Sequence, residues 1–382
     1  MFWQLLLLVS TAAALSPKYL PCQLQKPSGV SPLSGCPDGT VFVSPSDPTA
    51  SFSSVQAAIE SLPNEASAVI LIGEGEYHET VNITRTAPVT LLGQLNTETA
   101  FQPSGNATTR NLVQIWNNVF VENGIDDAQS AMLIVAPSFN ASLIGAGPTG
   151  APLQPLFGNV DFKAYNIDFQ NRAANFSISQ ALVTDISYAN ASFYGSSFAS
   201  YQDTWYTGRN ASTYVVDSII FGQTDYLFGF GTAWFQNVIL ANRACGGGIV
   251  AWKGTNLSDA PSNRYGAYIS SSRIIRSPDA NATTITKDSC FLGRPWNDLA
   301  TTVFLDTFMD DSIVPAGFKP FDSARPVIAN TTFYAEYHSF GPGGNTSARV
   351  SDHILTQSET ESFTLEEVFL GKPLWIDFDY QF

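Results

Sequence analysis

Two amides and two carboxylates recur in this chain at one interval. Gln180 is followed by Gln202, and Asp203 by Asp225, each 22 residues on. Carboxylates stacked side by side cannot both ionise easily, so one keeps a proton and becomes an acid while the other, supported by a cation, becomes a base. The candidate cation is Arg294 in "CFLGRPWND", where Gly293 and Pro295 set a turn and Trp296 offers an aromatic platform. Taken singly, each feature has an ordinary structural account. Asp at a strand end caps a turn, stacked Gln side chains form ladder hydrogen bonds, and Arg beside Trp covers a ring. Their conjunction points to a site.

What must position these residues is a succession of short strands. After one helical stretch, "SFSSVQAAIESLP", in which Val55, Ala58, Ile59 and Leu62 repeat at helical spacing and Ser53 with Gln56 reads as a capping box, the pattern changes. Segments rich in Val, Ile, Phe and Tyr follow one another, separated by Gly, Asn, Asp or Ser. No ordinary helix fits until "TLEEVFLG", with Thr364 and Glu367 as a second capping box. The aromatics Phe193, Tyr214 and Trp234 fall at intervals of 21 and 20. A repeat of 20 to 25 residues with several strands per turn predicts an all-β, parallel β-helix, in which each coil buries its inward side chains by stacking on the next. Asp203 and Asp225 then occupy neighbouring rungs, about 4.8 Å apart along the stack.

The bulk composition agrees. The 382 residues are 44% hydrophobic and 13% aromatic, enough for one large core. A net charge of −15 argues against nucleic acid as a partner. Residues 1–16, "MFWQLLLLVSTAAALS", read as a signal peptide with cleavage near Ala14 or Ser16, leaving 17–382 as a single secreted, extracellular domain. Cys22, Cys36, Cys245 and Cys290 have no metal-ligand spacing, and the expected pairs are Cys22–Cys36 and Cys245–Cys290. Ten N-x-[ST] sequons are spread along the chain, the mark of a glycoprotein surface. "GEGEY" at 73–77 has no following helix and is no phosphate loop, and His78, His338 and His353 stand in no Ser-His-Asp order.

On these motifs the chain resembles the pectin methylesterases (pectinesterases), secreted right-handed parallel β-helix enzymes that cleave the methyl esters of homogalacturonan. The resemblance rests on "FSSVQAAI", on Gly75-Glu76-Tyr77-His78-Glu79, Gln180-Ala181-Leu182 and Tyr201-Gln202-Asp203-Thr204, and on Asp225-Tyr226-Leu227-Phe228-Gly229 and Leu292-Gly293-Arg294-Pro295-Trp296. It implies that Asp225 is the nucleophile, Asp203 the general acid and then base, and Gln202 the oxyanion donor with Gln180 assisting. Arg294 would hold Asp225 ionised and oriented. Trp296 would stack on a sugar ring, with Trp205, Tyr226 and Tyr206 lining the same groove. The implied partner is methyl-esterified pectin, met by a monomer, with a proteinaceous inhibitor as a candidate second partner and no nucleic acid, membrane, metal or organic cofactor.

Departures from the family pattern are Trp205, Tyr226-Leu227, and "AGFKPF" with Phe318 and Phe321. Residues 96–155 also depart, reading as a lineage-specific loop at one rim of the cleft, with Thr108 or Thr109 as substrate contact. A pectate lyase or polygalacturonase on the same fold, or a non-catalytic wall-binding protein, are the competing readings. The first would need calcium-binding or bond-flanking carboxylates, the second a lost catalytic residue. The acidic charge further predicts a preference for highly methylated substrate and dispersed rather than blockwise action.

Overall fold

The computed structural model describes residues 15–100, 111–147, 150–256 and 262–381. Its strands form three sheets of eleven, seven and eight strands, paired in parallel throughout, and the chain visits the sheets in turn as it winds. This is a right-handed parallel β-helix. In the central coils Thr184 pairs with Trp205, Trp205 with Leu227, and Leu227 with Val250, so the spacing near 22 residues is the physical rung repeat. The next partner of Val250 is Gly293, because a long excursion carrying Cys290 intervenes. Insertions are accommodated in the turns while the strands keep their register.

One turn column shows why Asn, Asp, Ser and Gly punctuate the pattern. Asn166, Gly195, Asp217, Asn237, Ser271, Asp306 and His338 all adopt φ between 48° and 56°. These left-handed positions favour Gly, Asn and Asp. The Gly195 N–H donates to the Val216 carbonyl and the Asp217 N–H to the Gln236 carbonyl, tying each turn to the next.

The inner core stacks Phe169, Phe198, Phe193, Trp205 and Phe235, mostly edge-on. The outer face of the eleven-stranded sheet carries Tyr165, Tyr194, Tyr214, Trp234 and Tyr268, covered by Tyr19, Val368, Ile376 and Tyr380 from the two terminal regions. A sheet buried on both faces reads as continuous apolar sequence. This separates two aromatics that share an interval in the sequence: Phe193 pairs with Val215 and lies inside, whereas Tyr214 pairs with Ser192 and Trp234 and lies outside. The interval of 21 is therefore no rung, while that of 20 is.

A one-turn helix at Leu20–Gln23 precedes the expected one, which spans Val55–Glu60 with Ser54 rather than Ser53 at its N-cap. Its reciprocal partner is remote in sequence. The Glu79 carboxylate accepts from the Val55 and Gln56 N–H groups, both at 2.9 Å, and from the Ser54 hydroxyl. The "GEYHE" stretch is thus structural, with Tyr77 buried and donating to the Gly73 carbonyl. At the second expected capping box only half of the motif forms: Thr364 is the N-cap and accepts from the Glu367 N–H ahead of helix Leu365–Val368.

Both disulfides form as expected. His78, His338 and His353 are exposed, as are Asn82, Asn140, Asn175, Asn256, Asn281, Asn330 and Asn345 among the described sequons. Of the 96–155 segment, the described part is more than a loop: strand Val113–Asn117 joins the eight-stranded sheet and Leu133–Val135 the seven-stranded one, adding a coil. Residues 1–14 of the expected signal peptide lie outside the described residues. Leu15 is buried and exchanges backbone hydrogen bonds with Gln381, and Ser16 donates to Asp377. Cleavage after Ala14 would keep these contacts; cleavage after Ser16 would remove them.

Candidate active site

Each strand of the seven-stranded sheet turns its middle residue outward. The resulting ladder runs Asn82, Ile134, Asp185, Tyr206, Phe228, Ala251, Arg294. Just ahead of two of these strands the chain turns left-handed, at Asp203 (φ 60°) and Asp225 (φ 47°). Asp tolerates this conformation, which places the two carboxyls outward at the sheet edge. Their rungs are joined by the bridge between Gln202 and Thr224 and by the Asp203 N–H to the Thr224 carbonyl, and the Asp225 N–H ties its rung to the next through the Gly248 carbonyl. The spacing of 22 thus brings Asp203 and Asp225 together.

Arg294 reaches Asp225 from two rungs further on. Its Nε lies 2.9 and 3.1 Å from the two carboxylate oxygens and its Nη2 2.5 Å from Oδ2, while the Gly248 N–H donates to Oδ1 at 2.9 Å. The fork geometry fixes the carboxylate plane. Arg294 itself is held by the Phe321 carbonyl at 2.7 Å and lies over the Phe321 ring. Burial raises the Asp203 carboxyl well above the usual carboxylate range, reinforced by Asp225 and Asp127 and opposed by Arg294. The dyad is therefore split into a member whose charged form burial disfavours and an Arg-bound member.

Gln202 and Gln180 both line the cleft. Ser177 donates to the Gln202 side-chain oxygen and Ser179 to that of Gln180, each at 2.8 Å. With the oxygens occupied, neither amide nitrogen donates to another described residue. Two N–H₂ groups are thereby presented to whatever enters the cleft. The cleft has a volume of about 560 Å³ and is floored by Phe228 and Ala251. Trp296, Phe321, Gly124–Asp127 and Gly145–Gly147 complete its lining.

Two expected groove residues are elsewhere. Trp205 and Tyr226 are fully buried in the inner core, Trp205 donating to Thr207 and the Tyr226 hydroxyl to Asn242. Counting by twos from Asp203 puts Trp205 on the cleft face. The left-handed turn at Asp203 breaks the alternation, so the strand starts with Trp205 inside and Tyr206 outside. At Asp225 the same break leaves Tyr226 and Leu227 both inside. Tyr206 is on the cleft side but fully covered, packed on Phe228 at 4.7 Å. Phe318 is core, stacked on Tyr334, whereas Phe321 lines the cleft. Thr108 and Thr109 lie outside the described residues.

Three further residues stand at the site beyond those the sequence singles out: Phe228, Asp127 and Lys253. Phe228 could have been found as the outward position one rung before Ala251. Nothing in the sequence marks the other two. Lys253 is fully buried with its Nζ 3.8 Å from the Trp296 ring centroid, and burial, assisted by Arg209, lowers its pKa to about 7.

A family model described as Pectinesterase matches residues 156–372. The chain is 32% identical over 220 residues to the probable pectinesterase/pectinesterase inhibitor 59 of Arabidopsis thaliana, covering 56% of this chain and 40% of that protein. It is 27% identical over 349 residues to the probable pectinesterase A of Neosartorya fischeri, covering 91% of each. The chain thus spans 40 to 50% of the length of the Arabidopsis relatives numbered 59 and 7, and nearly all of the fungal one. Among solved structures, the pectin methylesterase from Aspergillus niger superposes with a TM-score of 0.68 at 24% identity, covering 90% of this chain and 98% of that one. The carrot enzyme gives 0.68 at 24%, covering 87% and 93%. These two likenesses are likenesses of fold. The family match takes in every coil from the Gln180 rung to the C-terminal helix, over more than half of the chain, and on it this protein belongs to the pectinesterase family.

Proposed function

We propose that the protein hydrolyses the methyl esters of homogalacturonan, releasing methanol and leaving galacturonate carboxylates in the chain. The observation that carries this reading is the split dyad: a buried Asp203, its carboxyl raised well above the usual range, one rung from an Asp225 clamped by Arg294 and the Gly248 N–H. In the first half-reaction an Asp225 oxygen attacks the C6 carbonyl carbon and the carbonyl oxygen takes the charge, opposite the Gln202 and Gln180 amides. The C6–OCH₃ bond then breaks and Asp203 gives its proton to the departing oxygen, leaving methanol, an acyl–Asp225 anhydride and an ionised Asp203. In the second, Asp203 takes a proton from water as it adds to the same carbonyl carbon, and the anhydride bond breaks to return the Asp225 carboxylate. Trp296 and Phe228 supply apolar faces for the sugar rings. The disulfides and the exposed sequons support a secreted, extracellular protein acting on cell-wall pectin. Among the described residues no helix is long and apolar enough to cross a membrane.

The test is methanol release from highly methylated pectin, run with a viscosity trace and the Asp225→Asn variant. Wild type is expected to release methanol with no early fall in viscosity, and the variant to lose at least about 1,000-fold in rate. An early viscosity drop would favour a depolymerase, and undiminished methanol release by the variant would remove Asp225 from the mechanism.

A further inference from the structure

Outside the segment that matches the family model, one rim of the cleft carries a carboxyl that the mechanism above does not use. Asp127 lines the same cleft as Asp203 and Trp296 and raises the Asp203 carboxyl through its field. Among the described residues its side chain accepts and donates no hydrogen bond, whereas its neighbour Asp126 is fully engaged. The Asp126 carboxylate accepts from the Ala128 and Ile144 N–H groups at 3.0 Å and from the Gly145 N–H at 2.8 Å, and the Asp126 N–H donates to Gln129. These bonds bind the two rim segments together, so Asp127 is carried on a rigid support. Asp126 spends its charge on the backbone; Asp127 keeps its own for the cleft.

We propose that Asp127 is a specificity residue, a fixed carboxylate that keeps a free galacturonate carboxylate out of the ring position flanking the reacting ester, so that the enzyme selects runs of methyl esters. This inference rests on the esterase reading. A methyl ester is neutral and suffers no repulsion from Asp127, while an ionised product ring does. Among the described residues lining the cleft the one cation, Arg294, is committed to Asp225.

The charged groups facing Asp127 are Asp126 on its own element, Asp203 on the facing turn, and Lys253 beneath Trp296. Burial and then Asp126 raise Asp127 to about 6, with Lys253 opposing. As pH rises, Asp127 ionises near 6 and Lys253 gives up its charge near 7, so both changes make this rim more negative. A galacturonate carboxyl, with an ordinary pKa near about 3.5, stays ionised throughout. Discrimination therefore grows from pH 5 to 8.

The experiment compares two oligogalacturonides, one fully methylated and one with a single free carboxylate beside the target ester, as the ratio of their kcat/KM values by methanol release. Titration of Asp203 affects both substrates alike and cancels in the ratio. Wild type is expected to disfavour the acid-flanked oligomer by about tenfold at pH 8 and far less at pH 5. Asp127→Asn should bring the ratio close to one at both pH values, and Asp127→Glu should restore the discrimination. A ratio in Asp127→Asn equal to that of wild type at pH 8 would overturn the proposal. If that variant fails to fold, the wild-type pH series decides, and a ratio independent of pH overturns it. Absence of methanol from the fully methylated oligomer would overturn the esterase reading and this inference with it, whereas an unchanged ratio removes this inference alone.

Discussion

At the scale of single residues, the position most exposed to test is a glycine. A Cβ built on Gly247 would collide with Asp225 Oδ1 and come within 2.7 Å of Arg294 Nη2 and 2.8 Å of its Cζ. Neither partner can yield without opening the clamp, since Asp225 is also held by the Gly248 N–H and Arg294 by the Phe321 carbonyl. Gly247→Ala is expected to lower kcat/KM for methanol release by about 100-fold, the cost of a reacting group displaced by an ångström. The near-ultraviolet circular dichroism should be unchanged. A fully active alanine variant would show that the clamp does not set the nucleophile's position. Trp205 and Tyr226 teach the complementary lesson: their neighbours in sequence are catalytic candidates, yet a left-handed residue beside each sends the aromatic into the core.

At the scale of elements, the coil stack leaves an open end that something must cover. Helix Val55–Glu60 does so, burying Val55, Ala58 and Ile59 against the core. It is only six residues long and depends on its cap, which Ser54 shares with Glu79. Glu79→Ala is expected to cost about 1 to 2 kcal/mol and lower Tm by a few degrees. Methanol release per folded molecule should not change, since the helix contributes nothing to the cleft. An unaltered melting curve would make the Glu79 bonds incidental. The Cys245–Cys290 disulfide works nearer the chemistry, joining the Gly246–Gly248 segment to the strand that carries Arg294.

For the whole molecule, the buried carboxyls set a direction for stability against pH. Burial raises Asp127 and Asp168 to about 6, and Asp352, next to the Glu336–Arg349 pair, to about 7; it also carries Asp185 and Asp203 upward. A carboxyl raised in the folded state binds its proton more tightly there than in the unfolded chain. Its favourable contribution is present below the unfolded pKa near about 4 and is lost as pH rises through the folded value. Lys253, lowered to about 7, acts only above that pH and in the opposite direction. The self-repulsion of a chain at −15 adds to the trend. Tm is therefore expected to be higher at pH 5 than at pH 7.5, at constant ionic strength in a calorimetric scan, and the reverse order would contradict the carboxyl assignments.

By itself the sequence determined the coil architecture and the facing of Asp203 and Asp225. These follow from spacing, because a stacked coil converts an interval of 22 residues into a contact whatever the turns do between. It also placed the helices at both ends, missing the first cap by one residue because Glu79 supplies from a distance what the local pattern assigned to Gln56. Only the tertiary structure decided which aromatics face the cleft, since the inward or outward sense of a strand is reset wherever a left-handed residue precedes it. Only it, too, brought Asp127 to the site: its place depends on how one inserted coil folds back over the sheet, and no interval in the chain records that.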